Sequence, residues 1–122
     1  METKKKILYV DDEFVNLRIF EINLNKKYEV LTAETGMTGL EILAKNPDII
    51  AVVSDMRMPV MDGLAFIKTA KELYPDKVYY LLTGFELQGD IEEAIQSKLI
   101  QEYFKKPVDM MAIHTAISTA VR

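Results

Sequence analysis

The chain has no cysteine. Disulfides, thiolate catalysis and cysteine-ligated metals are therefore excluded. It has one histidine, His114, so no histidine cluster is available for a transition metal either. It has no apolar run long enough to span a bilayer. The basic start Lys4-Lys5-Lys6 resembles the head of a signal peptide. The apolar stretch after it stops at Asp11, after four residues, which leaves no secretory core. Internal repeats and low-complexity tracts are missing. Neither sign of charge dominates: 15 Lys and Arg face 19 Asp and Glu, interspersed, for a net charge of −4. That balance argues against a nucleic-acid-binding surface, and the short apolar runs argue against a membrane one.

What remains is an ordinary globular composition. With 122 residues and 49% hydrophobic content, residues 1–122 read as one domain with a single core. The seven methionines read as core and loop packing. Apolar runs at about 6–10, 28–33, 49–54, 78–83 and 102–105 predict strands. Helical periodicity between them predicts helices at about 14–25, 37–45, 63–74, 90–99 and 109–121. Phe14, Leu17, Phe20 and Leu24 line one face of the first helix. Ile91, Ala94, Ile95 and Leu99 do so in the fourth, and Ile113, Ala116, Ile117, Ala120 and Val121 in the fifth, with Asp109 as its cap. Strand three is apolar without alternation, as a central strand covered on both faces would be. Strands alternating with helices predict an α/β fold: a doubly wound parallel sheet of five strands with five helices.

The ends of the strands carry the chemistry. Ile7-Leu8-Tyr9-Val10 runs into Asp11-Asp12-Glu13. Ile49 to Ser54 runs into Asp55, which opens the segment Asp55-Met56-Arg57-Met58-Pro59-Val60-Met61-Asp62-Gly63. Strand four ends in Thr83 and strand five in Lys106-Pro107. Sheets of this class bind ligands beyond the carboxyl ends of their strands. Asp11, Asp12 and Asp55 are thus expected to converge. Three carboxylates together require either a bound proton or a cation among them, and an all-oxygen set suits a hard ion, Mg²⁺ or Mn²⁺.

In these strand ends and in the Asp55–Gly63 segment, the chain resembles the receiver (CheY-like) domain of two-component response regulators, over nearly its whole length. The resemblance implies flavodoxin-like strand order 2-1-3-4-5 and a Mg²⁺ site. In that site Asp12, Asp55 and the backbone carbonyl of Arg57 bind the metal directly, and Asp11 acts through a water. It implies that Asp55 is the phosphoacceptor, taking a phosphoryl group from a sensor histidine kinase or histidine phosphotransfer protein. The domain would assist its own phosphorylation and dephosphorylation and would not be an enzyme acting on a separate substrate. Lys106 and Thr83 then neutralise and donate to the phosphoryl oxygens, and Gly84 leaves room for them. The Lys106-Pro107 bond is cis in the family. Thr83 and Tyr103 are implied as a switch read by a downstream protein on the face of the fourth helix, fifth strand and fifth helix. A cytoplasmic location follows, with no direct contact to nucleic acid or membrane. No output module is visible after the fifth helix.

Taken singly, each residue has a plainer reading. Asp11-Asp12-Glu13 could be an acidic loop before a helix, Asp55 a turn former before Pro59, Thr83 a strand end, Lys106 a solvated edge charge, and Tyr103 edge packing. His114 reads as a surface or core-edge residue. Jointly, acids, hydroxyl and lysine at four strand ends carry the reading. Three other functions compete with it. An Asp-nucleophile phosphatase of the haloacid-dehalogenase type wants a second acid two residues after the nucleophile, where this chain has Arg57. A flavodoxin-type carrier would cradle a phosphate in the loop that here is Asp11-Asp12-Glu13. A phosphorylation-independent adaptor would keep the fold as an interaction surface only. Two features depart from the common family pattern. Arg57 and Phe85 place bulk at the rim, where side chains tune the hydrolytic water. Leu99-Ile100-Gln101-Glu102 lacks the glycine that often ends the fourth helix.

Overall fold

A computed structural model describes residues 4–84 and 89–121. The elements alternate: β1 (Lys5–Val10), α1 (Phe14–Leu24), β2 (Tyr28–Ala33), α2 (Gly36–Lys45) and β3 (Ile49–Asp55) come first. They are followed by α3 (Gly63–Leu73), β4 (Val78–Thr83), α4 (Gly89–Gln96), β5 (Glu102–Lys105) and α5 (Met110–Ala120). All neighbouring strands pair in parallel, and their order is β2-β1-β3-β4-β5.

Alternation along each strand divides the core in two. Leu8 and Val10 of β1 join Val52, Phe66, Ile67, Leu81 and Ile91 on the side of α2, α3 and α4. Ile7 and Tyr9 join Phe20, Val53, Leu82, Ile113 and Ile117 on the side of α1 and α5. Almost all of β3 is buried, as its unbroken apolar run requires.

Helix starts follow their caps. Thr35 accepts from the Thr38 N–H, Asp62 from the Ala65 N–H and Asp109 from the Met111 N–H. Two helical expectations are corrected. Phe14 does not face the core but is 64% exposed, together with Val15, Ile19 and Ile22. Helix α1 is apolar on more than one face, so spacing alone could not say which face is inside. The fourth helix stops at Gln96, and Leu99 lies beyond it. Lys98 takes the left-handed conformation, with φ of 65°. The Lys98 N–H donates to the Ile95 carbonyl at 3.0 Å and the Leu99 N–H to the Ala94 carbonyl at 2.9 Å. This is the hydrogen-bond pair of a Schellman ending. A lysine fills the position usually given to glycine, and Ala94 and Leu99 close it on the core.

Candidate functional site

Register brings the acids together. Val10 pairs with Ser54, so the next residue on each strand, Asp11 and Asp55, emerge side by side. The Asp11 N–H donates to the Ala33 carbonyl at 3.1 Å, which extends the sheet one residue past β1. Asp11 is fully buried and Asp55 is 6% exposed, while Asp12 faces solvent. One carboxylate oxygen from each of the three lies within 4.8 Å of the others. An all-oxygen cluster of this kind fits a hard divalent cation, since repulsion among the acids is relieved by positive charge.

Asp11 is held on both oxygens. The Tyr9 hydroxyl donates to Oδ2 at 2.5 Å, and the Glu13 N–H donates to Oδ1 at 3.0 Å. The Tyr9 ring stacks on Phe20 with centroids 4.1 Å apart. Burial first, and then the bond to Asp11, push the Tyr9 hydroxyl far above its ordinary range. It is therefore a donor at any working pH.

Asp55 is framed by its own chain and by β5. Lys106 Nζ forms an ion pair with Asp55 Oδ1. Burial raises the Asp55 pKa; the Lys106 bond opposes this, and the charges of Asp11 and Asp12 add to it. The carbonyl of Asp55 accepts from the Ser54 hydroxyl at 2.9 Å. A Cβ at position 63 would stand 2.3 Å from that same carbonyl, so Gly63 is the residue that lets the loop close. The Gly63 N–H then reaches the Met56 carbonyl at 2.8 Å, and Asp62 caps α3 one residue earlier. The loop between them carries Val60 at φ of 70°, fully exposed.

The other expected residues arrive on β4 and β5. Thr83 pairs with Lys105, and the Lys106 N–H donates to the Thr83 carbonyl at 2.8 Å. The fold thus sets Lys106 beside Thr83, and the Lys106–Pro107 bond is cis. Thr83 is buried at 1% exposure. Arg57 is exposed at the rim and shares a hollow with Met56, Met58, Thr83 and Ile91. Phe85 lies outside the described residues. Tyr103 is half-buried, against the core on the α4 side. His114 is half-buried, its Nδ1 2.8 Å from the Tyr28 hydroxyl, which fits a core-edge residue.

Sequence reasoning missed Tyr9, which it had counted as part of an apolar run. The signal was available: two residues apart on a strand, Tyr9 and Asp11 share a side.

Comparison with known proteins agrees with this geometry. The response regulator receiver domain family matches residues 7–118. Sporulation initiation phosphotransferase F of Bacillus subtilis is 29% identical, over 93% of this chain and 90% of that protein. The hydrogenase transcriptional regulatory protein HoxA of Bradyrhizobium diazoefficiens is 32% identical over 88% of this chain, but this is only 22% of that regulator. The chain therefore spans about a fifth of its length. A response regulator receiver domain protein from Clostridium thermocellum superposes with a TM-score of 0.84 at 34% identity, covering 95% of this chain and 93% of that one. With these matches over almost its full length, the chain belongs to the response regulator receiver domain family, the phosphoacceptor domains of two-component signalling.

Proposed function

We propose that Asp55 is the phosphoacceptor of this domain and that residues 1–122 act as one receiver unit. The observation that carries the reading is the pairing of a buried Asp55 with Lys106, inside an acid cluster built from two adjacent strand ends. An Asp55 carboxylate oxygen attacks the phosphorus of a phosphohistidine. A P–O bond forms as the P–N bond breaks, and the imidazole departs with the bonding pair and takes a proton from water. Lys106 then moves from the carboxylate to a phosphoryl oxygen, where its compact charge offsets the added one. Thr83 supplies a hydroxyl to another oxygen.

Asp12, Asp55 and the Arg57 carbonyl would hold Mg²⁺ (or Mn²⁺) directly, and Asp11 through a water. The bound ion would contribute positive charge at the transferring phosphoryl group. The hydrogen bonds to the two oxygens of Asp11 leave a lone pair on each, which can accept from a metal-bound water. Arg57 overhangs the opening and tunes the access of hydrolytic water; Phe85 is assigned the same part from its place in the sequence.

The phosphodonor is a sensor histidine kinase or a histidine phosphotransfer protein, which places the domain in the cytoplasm. Among the described residues, no helix is long and apolar enough to cross a membrane. A downstream protein reads the face of α4, β5 and α5, where Tyr103 sits at the edge of the core. Incubation with a small acyl phosphate and Mg²⁺ tests the central step by mass measurement. The chain gains one phosphoryl mass, and Asp55→Asn gains none. An equal gain in Asp55→Asn overturns the assignment.

A further inference from the structure

We propose that Tyr9 is a positioning residue for the acid cluster, its hydroxyl fixing the Asp11 carboxylate within reach of Asp12 and Asp55. The proposal rests on the reading of that cluster as a Mg²⁺ site and adds to it the part of the chain that holds it ready. Three observations converge on Tyr9. The bond from its hydroxyl to Asp11 Oδ2, at 2.5 Å, is wholly buried. The ring is 2% exposed and stacked flat on Phe20, so the hydroxyl cannot swing away without breaking the core of the α1 and α5 side. The second Asp11 oxygen takes the Glu13 N–H. A donor on each of the two oxygens fixes the plane of the carboxylate.

The physical consequence concerns order and charge. A carboxylate with one donor can rotate about its Cβ–Cγ bond, and a metal or its water shell must then order it on binding. With both donors in place that cost is met during folding. The hydroxyl dipole also offsets negative charge on a buried group standing next to Asp55. Hydrogen-bonded partners of metal-binding side chains typically contribute about 10–100-fold in affinity.

Calorimetric Mg²⁺ titration of the whole chain tests this, with Tyr9→Phe as the central variant, because it keeps the stacked ring and removes only the donor. Mg²⁺ affinity falls by about tenfold in Tyr9→Phe. In an Asp11→Ala background the same change has no further effect, because the hydroxyl acts through Asp11. A merely structural role for Tyr9 would lower the affinity equally in both backgrounds, and that result overturns the proposal. So does unchanged or tighter binding in Tyr9→Phe. Ring-carbon resonances of Tyr9 in the unsubstituted protein give a reading that needs no variant: they shift along the Mg²⁺ titration, and no shift at saturation overturns the proposal. If the unsubstituted chain itself binds no Mg²⁺, the metal-site reading fails, and the positioning role fails with it.

Discussion

At the scale of residues, the site is an electrostatic conflict held in place by packing. Burial, with Asp11 and Asp12 nearby, raises the Asp55 pKa despite the Lys106 ion pair. A carboxyl whose folded pKa is raised holds its proton more tightly in the folded state. Its contribution to stability is full below the unfolded value, near ~3.9, and is lost as pH rises through the folded value. The metal-free domain should therefore lose stability over that interval, and Asp55→Asn should remove this part of the slope. Thermal melts in chelator across mildly acid pH check it; identical slopes in the two proteins would contradict it. The acids, Thr83 and Lys106 were legible because each stands where an apolar run ends. Tyr9 was not, because its ring satisfies the same hydrophobic pattern as its neighbours, and only the hydroxyl distinguishes it.

At the scale of elements, one helix end shows local chemistry yielding to tertiary packing. Lys98 occupies a left-handed position, which costs an L-residue roughly 1–2 kcal/mol. Its N–H bond to the Ile95 carbonyl survives any side chain, as does the Leu99 N–H bond to Ala94, and its carbonyl still accepts from Lys71 Nζ at 2.8 Å. Lys98→Gly should thus stabilise the domain by about 0.5–1 kcal/mol, after the larger unfolded entropy of glycine is counted. Urea unfolding reads this directly, and a loss of stability would mean that the lysine side chain has a role of its own. The missing glycine had made the end of α4 hard to place from sequence. The ending is set by Leu99 and Ile100 returning to the core on the α4 side, a tertiary effect that no local pattern carries. Helix α1 was harder for the opposite reason: Phe14, Val15, Ile19 and Ile22 give it apolar residues on the outside as well. Ile19, on its exposed side, lines a hollow together with Tyr9, Lys106 and Pro107.

At the scale of the whole molecule, the alternation of strands and helices and the convergence of their carboxyl ends followed from apolar spacing. The strand order did not, because spacing says nothing about which strands are neighbours. The proposed signal crosses the sheet. In this proposal a phosphoryl group at Asp55 would draw the Thr83 hydroxyl, and Tyr103 on the neighbouring strand would fill the space that Thr83 leaves, as a population shift between two arrangements. Resonances of the Tyr103 ring should move on adding a phosphoryl mimic such as beryllofluoride, and should move much less in Thr83→Ala. Equal shifts in the two proteins would break that coupling. All of this depends on where the phosphoryl group goes. The most direct test is to treat the chain with a small acyl phosphate and Mg²⁺, reduce the acyl phosphate with borohydride, and map the product by peptide mass spectrometry. Reduction converts a phosphorylated aspartate to homoserine. The account predicts homoserine at position 55 alone, and homoserine at position 11 or 12, or at no position, would contradict it.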